Sequence, residues 1–138
     1  MQSKKLIVHT HHIGSHFTNA LWPVGVILLL SYIVAGKQSY ESASFYCFIF
    51  AALGAPVTFF SGIFDWKTRF SGRSTHIFDH KRIFGLSFVV LSILLVVWRF
   101  IDPSIPTPEN GLRYLYVSLS VINGGFVAYL GHLGGKFI

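Results

Sequence analysis

Apolar positions along this chain gather into four long runs, covering residues 16–36, 44–64, 83–101 and 112–137. Crossing the hydrocarbon of a bilayer takes about 20 helical residues, and each run is long enough. The third, IFGLSFVVLSILLVVWRFI, is the least ambiguous, and the fourth is longer and richer in glycine. The pattern predicts an all-α protein: one integral membrane domain over residues 1–138, built as an up-down four-helix bundle. Pro23 and Pro56 fall inside runs, which membrane helices tolerate when neighbours satisfy the freed carbonyl. The polar breaks differ in kind: residues 37–43 read as a short turn and residues 65–82 as a long basic loop. DPSIPTPENG, with three prolines, reads as a helix-breaking cap on the membrane surface. LIV, between Lys5 and His9, is too short for the apolar core of a secretory signal.

Composition agrees with the runs. Hydrophobic residues make up 52% and charged residues 12% of the 138, about half the charge a soluble domain carries. The net charge of +6 does not indicate nucleic-acid binding, because the cations lie between apolar runs rather than along one face. Cys47 is the single cysteine, sits mid-run and reads as a buried small hydrophobe. Orientation follows the cations. Lys4, Lys5, Lys67, Arg69, Arg73, Lys81, Arg82 and Lys136 fall on one side; Lys37, Arg99 and Arg113 fall on the other. Eight against three places both termini in the cytoplasm, in a multi-pass protein of a bacterial inner membrane.

The histidines then change the picture. HTHHIGSHF puts four imidazoles in nine residues just before the first run, and His76 and His80 precede the third. His132 lies near the end of the fourth, so all seven histidines fall near the cytoplasmic edge. If helix one starts early, His9, His12 and His16 share a face, as do His76 and His80. Interfacial histidines need no ligand, and for His9 and His11 that plain reading is preferred. Ionisable groups that reach into a span are functional by default, which singles out His16, His80 and His132.

Small residues recur as well, at Ala51, Ala55, Thr58 and Gly62 in span two and at Gly125 and Ala128 before His132 in span four. Close helix packing explains the first set at least as well as a ligand does. A small stripe ending in a histidine is what clearance for a porphyrin beside its ligand looks like. Asp65 is a candidate partner for an imidazole N–H, and Asp79 a weaker one. Either is equally read as a carboxylate beside Lys67 or Lys81. No nucleophile–base pair, phosphate loop or CxxC is present, so no catalytic residue is assigned.

Several short motifs resemble a bacterial four-span membrane family, the domain of unknown function 2231. They are His11, His16-Phe17 followed by Thr18 where the family has proline, Gly62 with Asp65-Trp66, His80, and Gly134-Gly135. Relatives often continue beyond the point where this sequence stops. Some are joined to Rieske-type iron–sulfur domains, so the resemblance implies redox partners. The architecture is also similar to that of small b-type membrane cytochromes. The expectation is a haem b protein that passes electrons within a larger membrane complex, with quinone as a candidate partner. His16 and His80 are the first ligand pair, with His132, His76 and His12 as further candidates. Two rivals stay open. HTHH and HIFDH resemble the histidine boxes of membrane desaturases and hydroxylases, and imidazole suits iron, copper and zinc alike. A structural subunit of a membrane complex, binding no cofactor, is the other.

Overall fold

The chain forms α1 (Gln2–Ala35), α2 (Gln38–Arg69), α3 (His76–Ile101) and α4 (Arg113–Gly135). This computed structural model describes residues 2–69 and 76–135, without the side chains of 2–4, 7–12, 14–15, 69, 76–78 and 133–135. All four helices contain a window long and apolar enough to cross a membrane, and no strand occurs among the described residues. Each helix packs on its neighbours around a square, α1 on α2 and α4, and α3 on α2 and α4. The α1–α2 interface is the most extensive, and α1 faces α3 across a diagonal.

The buried faces repeat every three or four residues: Thr18, Trp22 and Leu29 on α1; Ser44, Phe48, Ala51 and Ala55 on α2; Phe88, Ser92 and Leu95 on α3; Tyr116, Ser120, Asn123 and Val127 on α4. Their composition is the reverse of a water-soluble core. Hydroxyls, an amide and aromatic rings point inward, while Ile27, Leu53, Phe60 and Leu94 point outward. So large an apolar exterior requires a lipid surround. Inside, polar groups gain by pairing with one another, because lipid offers no partner. Trp22 Nε1 donates to the Ser120 carbonyl at 3.0 Å, Ser44 Oγ to the Gly25 carbonyl at 2.6 Å, and Asn123 Nδ2 to Ser92 Oγ at 2.8 Å. Trp22 also stacks on Phe48, with centroids 4.1 Å apart, and meets Phe88 edge-on. A Cβ on Gly25 would come within 2.6 Å of the Phe48 ring, so glycine here sets the close approach of α1 and α2.

The helices outrun the apolar runs. At about 1.5 Å per residue, 34-residue α1 exceeds the ~30 Å hydrocarbon, and its apolar window begins only at His16. The turn expected at 37–43 shrinks to Gly36 and Lys37. Gly36 takes φ 71°, a left-handed cap open to glycine, and its N–H donates to the Tyr32 carbonyl at 2.7 Å. Residues 38–43 are already helical, and Glu41 is buried among them. The long basic loop likewise shortens, because α2 runs on to Arg69 and α3 starts at His76. The proline-rich connection does not merely lie on a surface: Ile105 and Pro106 are fully buried, and Ile105 belongs to the core.

Candidate functional site at the histidine end

The early start of α1 places His9, His11, His12 and His16 on one continuous helix, and His76 opens α3. The side chains of His9, His11, His12 and His76 lie outside the described residues. His16 is exposed. It stands about 200° round α1 from buried Thr18, on the side away from the core. His80 is half-buried and turned toward α4, where its Nδ1 lies 2.9 Å from the Tyr129 hydroxyl. His132 is exposed, and its ring lies 6.5 Å from the Tyr129 ring at an interplanar angle of 29°. Phe84 meets Tyr129 edge-on at 4.8 Å and Phe126 at 5.5 Å, so an aromatic wedge fixes the phenol from beneath. Gly131 packs beside Asn19, one turn from His16, so α1, α3 and α4 bring an imidazole each to the same end of the bundle.

Within that end the structure groups the residues differently from the first expectation. The His16 and His80 rings do not approach a common central plane, because His16 faces outward from α1, which lies diagonally across the bundle from α3. His80 and His132 are the two whose rings both neighbour Tyr129, at 6.2 and 6.5 Å between centroids. Tyr129 carried no sequence signal, being one of six tyrosines with no motif around it. Asp65 is half-buried near the end of α2, and its charge acts on Lys81 of α3. Asp79 pairs with Arg82, whose guanidinium lies 4.5 Å from the Trp66 ring centre. Among the described residues, no three His, Cys, Asp or Glu side chains converge in a way that would hold a metal ion.

The two small-residue stripes part company. Ala51 and Ala55 are buried in the bundle, so this stripe packs helices. Gly125 and Ala128 are exposed on the same outward face as His132, and a Cβ built at Gly125 would meet nothing within 4 Å. That face is a strip poor in side chains that no other described helix covers.

Residues 8–138 match the family model described as predicted membrane protein (DUF2231). The chain belongs to the DUF2231 family. No curated protein and no solved structure matches it significantly. It is thus a multi-pass membrane protein in contact with lipid.

The opposite end of this DUF2231 chain holds a charge cluster that sequence reasoning missed. Glu41, 1% exposed, accepts from Arg99 Nε at 2.6 Å and Nη2 at 2.9 Å, and from Gln38 Nε2 at 2.9 Å. Arg99 also lies over the Phe45 ring at 4.4 Å, and Arg113 over Tyr32 at 5.8 Å. Glu41 sits in the first turn of α2 and Arg99 in the last turn of α3, so each charge also complements its helix dipole. The available signal was a carboxylate and a guanidinium at the edges of two neighbouring apolar runs. Both oxygens of the carboxylate are used, which makes this cluster a clasp between α2 and α3.

Proposed function

We propose that this protein is a membrane electron-transfer subunit of the b-cytochrome kind, holding haem b at its histidine end. His80 is the anchored ligand and His132 the second, with His16 next in rank. One observation carries the reading: an imidazole from α3 and one from α4, His80 and His132, both neighbour Tyr129. A bare iron or zinc site usually draws three or more ligands from the protein. Haem brings four nitrogens of its own and asks at most two of the chain. Two imidazoles from the chain are enough for haem, whereas a site of the histidine-box kind would draw further ligands from it.

The residues present fit such a group. His132 is exposed and can change rotamer at little cost, and the strip at Gly125 and Ala128 leaves room for a flat ring on its own face. When bound, the haem supplies one-electron chemistry; the chain supplies imidazole nitrogens and apolar surroundings. Were His80 and His132 both to hold the iron, oxygen would find no open coordination site, which would suit electron passage rather than oxygenation. A redox partner in the same membrane then provides and removes the electron, and quinone is one candidate.

The test is an optical spectrum of the purified protein, oxidised and then reduced, with metal analysis of the same sample. Sharp reduced-minus-oxidised bands with one or more haems per chain are the expected result. A colourless protein containing iron or zinc would favour a non-haem metal enzyme. Absence of any metal would favour a structural subunit in which His80 and Tyr129 merely join α3 to α4.

A further inference from the structure

The His80 ring is not simply placed near α4; its Nδ1 is hydrogen-bonded there. We propose that Tyr129 is a positioning residue that accepts a hydrogen bond from His80 Nδ1–H and so presents Nε2 as the ligating nitrogen. The contact is 2.9 Å between Nδ1 and the phenol oxygen, within the range of a real hydrogen bond. A phenol can donate or accept, and a neutral imidazole has one nitrogen of each kind, so the pair has two arrangements. Only the arrangement with the proton on Nδ1 leaves a lone pair on Nε2. Metal-bound histidines commonly donate their second N–H to a neighbouring acceptor, which fixes both tautomer and ring orientation.

Tyr129 is itself held well enough to do this. Its ring packs edge-on against Phe84, one turn beyond His80 on α3, and Phe84 packs in turn on Phe126, one turn before Tyr129 on α4. The hydroxyl therefore has a fixed origin, and the imidazole bonded to it inherits a fixed direction. His132 shares the Tyr129 ring as a neighbour but makes no described hydrogen bond to it, so the positioning acts on one imidazole of the two.

This inference rests on the haem reading for its purpose, but its test does not need haem. Nitrogen-15 NMR of the apoprotein in detergent micelles reports which nitrogen of His80 carries the proton. The wild type should show the Nδ1–H tautomer, and Tyr129→Phe, which keeps the ring and its packing, should shift His80 toward Nε2–H. An unchanged tautomer in Tyr129→Phe, or Nε2–H in the wild type, overturns the proposal. On haem-loaded protein the same variant should stay low-spin while its reduction potential rises, because the ligand loses electron density when Nδ1–H loses its acceptor. A potential that does not move would mean that the hydroxyl is only a helix contact. A tautomer shift in apoprotein that never takes up haem would leave the Tyr129 contact standing and refute the haem reading alone.

Discussion

The two ends of this bundle use polar residues in opposite ways. At the Lys37 end, Glu41 is buried with both oxygens occupied, and Ile105 and Pro106 fold inward from the connecting loop. Asn110 Oδ1 accepts from the Leu112 N–H at 2.8 Å, so the approach to α4 is capped as well. At the other end His16 and His132 are exposed, and His80 is held through Tyr129. A closed end made of paired charges fixes how the helices meet. An end with imidazoles at its rim keeps ligating atoms within reach of something that binds. The haem site proposed above lies at the histidine end, and the paired charges that clasp α2 to α3 lie at the Glu41 end.

That contrast predicts its largest effect at Glu41. Removing one partner of a buried ion pair leaves an uncompensated charge, which costs about 3–5 kcal/mol. Glu41→Ala should lower stability in a denaturant titration by that order, while haem content per folded protein stays unchanged. Loss of haem without loss of stability would mean that the ends are not separate in function. Trp22 lies between the ends, stacked on Phe48 and hydrogen-bonded to the Ser120 carbonyl. Trp22→Ala should cost a comparable ~3–5 kcal/mol, measured in the same titration.

The two stripes sharpen the comparison with smaller effects. Ala55→Leu forces extra carbons into a packed seam and should destabilise by about 1–3 kcal/mol. Ala128→Leu faces outward, so stability should change by less than about 0.5 kcal/mol while haem retention falls. Full haem occupancy in Ala128→Leu would remove the role given to the α4 strip. The least perturbing test concerns direction. With eight cations on the histidine side against three, a cysteine placed at position 3 should be labelled only from the cytoplasm. Labelling from the opposite face would invert the bundle and carry the histidines with it.

How far the sequence could be read divides along physical lines. Four apolar runs show themselves through composition alone, and the structure returns four helices long and apolar enough to span a membrane. Their ends are harder, because polar residues extend a helix beyond the bilayer when they find distant partners. Gln38–Ala43 reads as a turn until Arg99, 58 residues from Glu41, supplies a counter-charge. The spacing of small residues reveals a stripe but not its direction, so the similar patterns at Ala51–Ala55 and Gly125–Ala128 turned out to face inward and outward respectively. The site follows the same rule. Grouping the histidines at one end needed only the order of spans, whereas the pairing of His80 with Tyr129 depends on how α3 and α4 rotate against each other, which no local pattern encodes.

The most direct test of the account is the spin state of the haem in three single variants, His80→Ala, His132→Ala and His16→Ala. Removing an axial nitrogen from a six-coordinate low-spin iron opens a position. The account predicts that His80→Ala and His132→Ala lose haem or turn it high-spin, and that His16→Ala keeps the wild-type spectrum. A low-spin spectrum that survives in both His80→Ala and His132→Ala would contradict it.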